Sequence, residues 1–134
     1  MKIFLSYKFS GVDRKSLRVL IDCVSEKLES LGHTTFCFSR DIQHWGDTNI
    51  SRSKIIPTAL INLDSCDLLL AVIDEEGAST GVGIEVGYAQ AKGKKVFLAT
   101  REGVGADYVA SLADKVLEYY SIQTLKESLE SLFI

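Results

Sequence analysis

The run Ser79-Thr80-Gly81-Val82-Gly83-Ile84-Glu85-Val86-Gly87-Tyr88-Ala89 sets one carboxylate, Glu85, among three glycines, just after an apolar stretch that reads as a buried strand. A charged group beside backbone left bare by glycine needs an explanation. One explanation is bland: an acid in the first turn of a helix is favoured by the macrodipole, by a few tenths up to about 1 kcal/mol. Three features point further. Glycine inside a helix costs about 1 kcal/mol relative to alanine unless the space is needed, and here Gly81, Gly83 and Gly87 surround the acid. The run lies where a strand's carboxyl end gives way to a helix, the place where ligands sit in open α/β sheets. Ser79 adds a hydroxyl at the loop's entrance. The pattern describes a carboxylate facing a small cavity, with the bare backbone of Gly81 and Gly83 nearby to receive a ligand.

Two better-known glycine patterns do not fit. The third glycine of a dinucleotide fingerprint beginning at Gly81 would fall on Val86, and the loop follows the third strand rather than the first. The pair Gly93-Lys94 closes a helix instead of opening one, so it is not a P-loop.

Other candidates sit at the same edge. Tyr7, Lys8 and Phe9 follow the first strand. An aromatic there can stack on a base and Lys8 can pair with a phosphate; a polar loop with a ring tucked beneath it serves equally for Tyr7 and better for Phe9. Of the acids Asp74-Glu75-Glu76 that end the third strand, Asp74 is nearest the strand end and is a candidate acid or base beside Glu85, although a run of three acids in a loop is usually just solvated. Arg14 and Lys15 read as a solvated helix face, His44 as a solvated loop residue and Trp45 as a packing anchor. His33 lies just past a helix end, where a dipole contact suffices. The two histidines and three cysteines share no metal-ligand spacing, so no metal is expected.

The elements that must position these groups alternate from end to end, which predicts a parallel sheet wrapped by helices. Strands are expected at residues 2–6, 34–38, 67–73, 95–100 and 116–119. Helices are expected at 13–31, 50–63, 84–92 and 108–113, and from Leu125 onward. Leu17, Leu20, Ile21, Val24, Leu28 and Leu31 recur at spacings of three and four along the first helix, and Gly32 stops it. Residues 40–49 and 74–83 read as loops, and Pro57 kinks or restarts the second helix. The fold class is α/β: a single-domain, flavodoxin-like or Rossmann-like three-layer sandwich whose five parallel strands run in the order 2-1-3-4-5.

Composition narrows the function classes. The 134 residues suit one domain over 1–134. A net charge of -3 and a pI near 5.4 argue against a nucleic-acid polymer as partner, though a helix N-terminus can still hold one phosphate. No apolar stretch approaches the roughly 20 residues needed to span a bilayer. Met1-Lys2 leads straight into Ile3-Phe4-Leu5, too short a run for a signal peptide. Cys23, Cys37 and Cys66, odd in number and in apolar surroundings, read as reduced thiols of a cytoplasmic protein.

The third strand, the Ser-x-Gly-x-Gly-x-Glu-x-Gly-x-Ala run and the following Gly93-Lys94-Lys95 resemble the nucleoside 2-deoxyribosyltransferase family, within it the branch of 2'-deoxynucleoside 5'-monophosphate N-glycosidases. The likeness is densest over residues 67–98. It implies cleavage or transfer at the N-glycosidic bond of a (deoxy)nucleoside or its 5'-monophosphate. Glu85 would be the nucleophile, Ser79 would hold the phosphate, and Gly81 and Gly83 would bring amides toward it. It further implies a homodimer, with the apolar helix at residues 55–63 as a suitable interface, and no cofactor. Two departures stand out. The family carries an aspartate before the third strand where an ungapped count places Ala59, with Asp64 and Asp67 out of register. After the first strand it has a Ser and a Gly-Gly pair with arginines, where this chain has Ser6-Tyr7-Lys8-Phe9-Ser10-Gly11.

A second resemblance is to TIR domains. It rests on Phe4-Leu5-Ser6-Tyr7, on the helix ending Leu28-x-x-Leu31-Gly32, and on Arg40-Asp41 followed by Gly46 and Ile50. It implies NAD cleavage or signalling, although Gly83-Ile84 stands where that pattern has Trp-Cys. A nucleotide-binding or protein-interaction module that keeps the fold without catalysis is the remaining alternative.

Overall fold

The computed structural model describes residues 1–46 and 50–133. Five strands, β1 (Lys2–Tyr7), β2 (Thr34–Cys37), β3 (Leu68–Ile73), β4 (Lys95–Arg101) and β5 (Lys115–Tyr119), form one sheet. All pair in parallel, in the order β2-β1-β3-β4-β5. The helices are α1 (Arg14–Ser30), α2 (Phe38–Asp41), α3 (Arg52–Asp64), α4 (Thr80–Ala91), α5 (Asp107–Ala110) and α6 (Ile122–Leu132).

Strand alternation divides the core into two layers. Ile3 and Leu5 of β1, with Leu68, Leu70 and Val72 of β3, pack against the apolar stripes of α1 and α6. Phe4 of β1, with Leu69, Ala71 and Ile73 of β3, packs against α3, α4 and α5. Every residue of β3 is buried, as a central parallel strand covered on both faces must be. Each buried leucine or isoleucine contributes about 1.5–3 kcal/mol of transfer free energy, and a one-residue slip would turn the whole set over to the wrong layer.

Caps fix the helix starts. The Asp13 carboxylate accepts from the Ser16 amide, and Ser121 with Thr124 forms a capping box on α6. Because of that box α6 begins at Ile122, three residues before the expected start at Leu125. Pro57 lies inside α3 and does not end it. A single helical turn, α2, occupies the start of the segment expected as a loop at 40–49; residues 47–49 of that loop lie outside the described residues.

The expected loop at 74–83 is shorter than the sequence suggests. Ser79 is the N-cap of α4, its hydroxyl accepting from the Val82 amide at 3.3 Å, so Gly81 and Gly83 are helical. Glu85 is therefore in the second turn rather than the first, beyond the reach of the macrodipole term. Among the described residues, no helix is long and apolar enough to cross a membrane.

Candidate active site

α4 buries Val82, Val86 and Ala89 against the sheet. Glu85 is three residues on from Val82, so its side chain leaves the helix at the margin of that buried stripe. There it meets the end of β1. Ser6 is on the Phe4 face of β1, directly beside Ala71 of β3, and is 1% exposed. Its hydroxyl donates to Glu85 Oε1 at 2.6 Å. No lysine, arginine or histidine among the described residues pairs with Glu85. Burial pushes its pKa up to about 7, and the Ser6 hydrogen bond partly opposes that rise.

Glu85 opens onto a cavity of about 450 Å³, within the range of small-molecule sites. Its floor and one wall are the end of β1 and the start of α4: Tyr7, Phe9, Ser79, Thr80 and Gly81. Its other wall is α2 with the residues after it (Phe38, Ser39, Gln43) and α3 (Arg52, Ile55, Ile56, Ala59). The Tyr7 hydroxyl donates to Ser39 Oγ at 2.8 Å and accepts from the Ser39 amide at 2.9 Å, fastening α2 to β1. Burial pushes the Tyr7 phenol well above its usual range, so it stays protonated. Phe9, favoured above as a tucked-under ring, does line the cavity, and the Arg14 guanidinium lies 5.4 Å from its centroid on one face.

The expected site residues divide. Glu85, Tyr7, Ser79 and Gly81 come together at the cavity. Gly83 does not: it is exposed, a Cβ there would meet nothing within 4 Å, and its amide is bonded to the Ser79 carbonyl at 3.0 Å. The amides at this helix start with no helical acceptor are those of Thr80 and Gly81.

Lys8 and Asp74 lie elsewhere. They border a separate cleft of about 30 Å³ beside α1, room for about one water. Lys8 Nζ donates to the Glu76 carbonyl at 3.2 Å. Asp74 Oδ1 accepts from the Tyr119 hydroxyl at 2.6 Å and from Arg101 Nε at 2.9 Å, a latch across the ends of β3, β4 and β5. Asp74 thus borders that cleft and not the cavity at Glu85.

Ala59 lines the cavity and is 1% exposed. Asp64 accepts from the Tyr88 hydroxyl, and Asp67 accepts from the Lys2 amide at the opposite edge of the sheet. Phe38, Gln43 and Arg52 in the cavity lining, and Ser6 behind Glu85, are unforeseen. Only Ser6 carries a signal in the sequence, as a hydroxyl that directly follows the apolar run Ile3-Phe4-Leu5. His44 is exposed, whereas Trp45 packs on the α1 layer with Arg18 over its ring; both backbones are left-handed (φ 52° and 57°). His33 Nδ1 lies 3.1 Å from the N-terminal amine. No group of three or more His, Cys, Asp or Glu side chains converges on a metal-sized site among the described residues.

The profile of the family described as Nucleoside 2-deoxyribosyltransferase matches residues 12–117 of this chain. No curated protein matches it by sequence. Among solved structures, the CMP N-glycosidase BcmB of Clostridium botulinum is similar at 20% identity and a TM-score of 0.68, covering 98% of this chain and 99% of that one. The 2-deoxyribosyltransferase of Bacillus psychrosaccharolyticus is 18% identical with a TM-score of 0.70, covering 94% and 90%. A conserved protein from Enterococcus faecalis is 21% identical with a TM-score of 0.70, covering 98% of each chain. At these identities the likeness to solved structures speaks for the fold alone.

Proposed function

The chain belongs to the nucleoside 2-deoxyribosyltransferase family, whose members are nucleoside deoxyribosyltransferases or nucleotide N-glycosidases, and we propose that it is an enzyme in which Glu85 is the nucleophile toward a nucleoside or nucleoside 5'-monophosphate. The observation that carries this reading is the Glu85 carboxylate, held by Ser6 at 2.6 Å, free of cations among the described residues and open to a cavity of about 450 Å³.

An oxygen of Glu85 attacks the anomeric carbon, the C–N bond breaks, and the base departs. Water, or a second base, then displaces the carboxylate from the glycosyl ester. Ser6 fixes one carboxylate oxygen and leaves the other for attack. With a pKa near 7, a substantial fraction of Glu85 is ionised at neutral pH. Tyr7, Phe9 and Phe38 supply aromatic wall for a heterocycle. The Ser79 hydroxyl, the Thr80 and Gly81 amides and Arg52 gather at the same cavity, where they suit a 5'-phosphate.

The assembly that suits this site is a homodimer. Ile61 of α3 is 71% exposed and Ile84 of α4 is 42% exposed, and α3 also forms a cavity wall, so a second copy covering α3 would help to close the site. The three free, buried thiols suit a reducing compartment, and the proposal places the enzyme in the cytoplasm.

The test is base release. Purified protein is incubated with nucleosides, deoxynucleosides, their 5'-monophosphates and NAD, and free heterocycle is quantified by chromatography. Release that is lost in Glu85→Gln supports the reading. Release undiminished by that substitution, or release from no substrate class, contradicts it.

A further inference from the structure

We infer that the substrates of this site are N-glycosides whose leaving heterocycle already carries a positive charge, such as pyridinium nucleosides or N7-alkylated purine nucleosides, because Glu85 faces the cavity without a second acid among the described residues. The inference rests on the glycosidase reading above.

A neutral purine or pyrimidine departs easily only if a proton reaches it as the bond breaks, and a positioned general acid contributes roughly 10²–10⁴-fold. The cavity offers no such group among the described residues. Glu85 is its one carboxylate, and neither His nor Cys lines it. Glu85 must be ionised to attack, so it cannot donate in the same step. Arg52 brings a guanidinium, suited to hold an anion and not to pass a proton to a leaving base, and the Tyr7 hydroxyl is committed to Ser39 Oγ.

The acids on the surrounding elements are occupied elsewhere. Asp13, Asp74 and Glu75 border the small cleft beside α1. Asp41 accepts from the Cys37 amide and from Arg40. Asp64 is held by Tyr88 and Asp67 by Lys2. Ala59 presents only a methyl to the cavity.

What the cavity does offer suits a cation. A half-buried carboxylate that no cation among the described residues pairs with attracts a positive ligand more strongly than water would allow; Arg52 lines the same cavity but makes no ion pair with Glu85, and the rings of Tyr7 and Phe38 line it too. The chemistry then closes without an acid. A Glu85 oxygen forms the C–O bond to the anomeric carbon; the C–N bonding pair passes to the ring nitrogen and neutralises it. Water next attacks the anomeric carbon, the C–O pair returns to Glu85, and the water's proton goes to solvent. Each turnover therefore releases one proton, whereas hydrolysis of a neutral nucleoside to neutral base releases none.

The experiment compares nicotinamide riboside, its 5'-monophosphate and N7-methylguanosine with guanosine, cytidine, uridine and their monophosphates. Each catalysed rate is divided by the spontaneous rate, since cationic glycosides are intrinsically more labile. The expected result is an acceleration at least about 10²-fold larger for the cationic set, the general-acid increment missing from the neutral one. One proton is expected per turnover, in a pH profile with a single rising limb. Ala59→Asp is expected to raise the neutral-substrate rates, and the wild-type comparison stands if that variant does not fold. Equal or larger acceleration of neutral glycosides, or a falling limb at high pH from a required acid, overturns the inference and leaves the glycosidase reading intact. Asp47 lies outside the described residues, so Asp47→Asn joins the panel: wild-type activity on neutral glycosides that this substitution removes would identify a donor and overturn the inference. Cleavage of neither set overturns both readings.

Discussion

Ser6 and Glu85, 79 residues apart in sequence, meet through a hydrogen bond of 2.6 Å between the end of β1 and the second turn of α4. The contact joins the strand at the centre of the β2-β1-β3 half of the sheet to the helix that follows β3, so it exists only when the parallel register is formed. The bond stabilises the ionised form of a carboxylate that burial would otherwise keep protonated.

Ser6→Ala removes that donor. The Glu85 pKa is expected to rise above its value near 7, moving the rising limb of the pH–activity profile to higher pH. At neutral pH kcat/KM falls, by about tenfold if the lost charge-assisted bond contributes at the low end of roughly 1.5–3 kcal/mol. The profile of kcat/KM against pH, measured on both proteins, checks the shift; unchanged midpoints would contradict it.

Glu85 also has a signature in stability. Its folded pKa is raised from 4.5 to about 7, so the folded state holds this proton more tightly than the unfolded chain. The associated stability is fully present below pH 4.5 and is lost as pH rises through 7. Glu85→Gln removes that loss. Its Tm relative to wild type is expected to climb between pH 4.5 and 7 and then level off, as measured by thermal unfolding across pH. A flat difference would contradict the burial argument.

Much of this arrangement was legible in the sequence, and the failures have physical causes. The strand order followed from alternating patterns and right-handed crossovers, because each apolar run has one stable place in such a sheet. Gly81 and Gly83 read as loop because helix propensity counts against them, while Ser79 as N-cap and the buried Val82, Val86 and Ala89 carry the helix through. Lys8 and Asp74 read as neighbours of Glu85 because both follow strands that end at the same edge. Sequence does not say which layer a residue beyond the last strand position turns toward, and these two turned toward α1. The pairing of Ser6 with Glu85 is not legible in the sequence, because cross-strand register and helix rotation both decide it.

The separation of Asp74 from the cavity gives a further prediction. Tyr119→Phe removes the hydroxyl donated to Asp74 and is expected to destabilise the protein by about 1–3 kcal/mol. The rate of base release per folded molecule stays within about twofold of wild type, because Tyr119 does not line the cavity. Denaturant unfolding and steady-state kinetics on the same preparation check this; a large fall in kcat with unchanged stability would return Asp74 to the chemistry.

The exposed apolar face of α3 predicts the assembly state. Ile61→Asp, at a position 71% exposed, is expected to convert a dimer to a monomer while leaving the monomer's fold intact, as read by sedimentation velocity and circular dichroism. A wild-type protein that sediments as a monomer at micromolar concentration would contradict the proposed dimer.

The covalent step is the most direct point of test. Slowly hydrolysed 2'-fluoro analogues of both the cationic and the neutral glycosides are mixed with the enzyme, quenched in acid and digested, and the peptide bearing Glu85 is weighed by mass spectrometry. The account predicts one added glycosyl mass on Glu85, absent in Glu85→Gln. An adduct on a different residue, or base release that persists without Glu85, would contradict it.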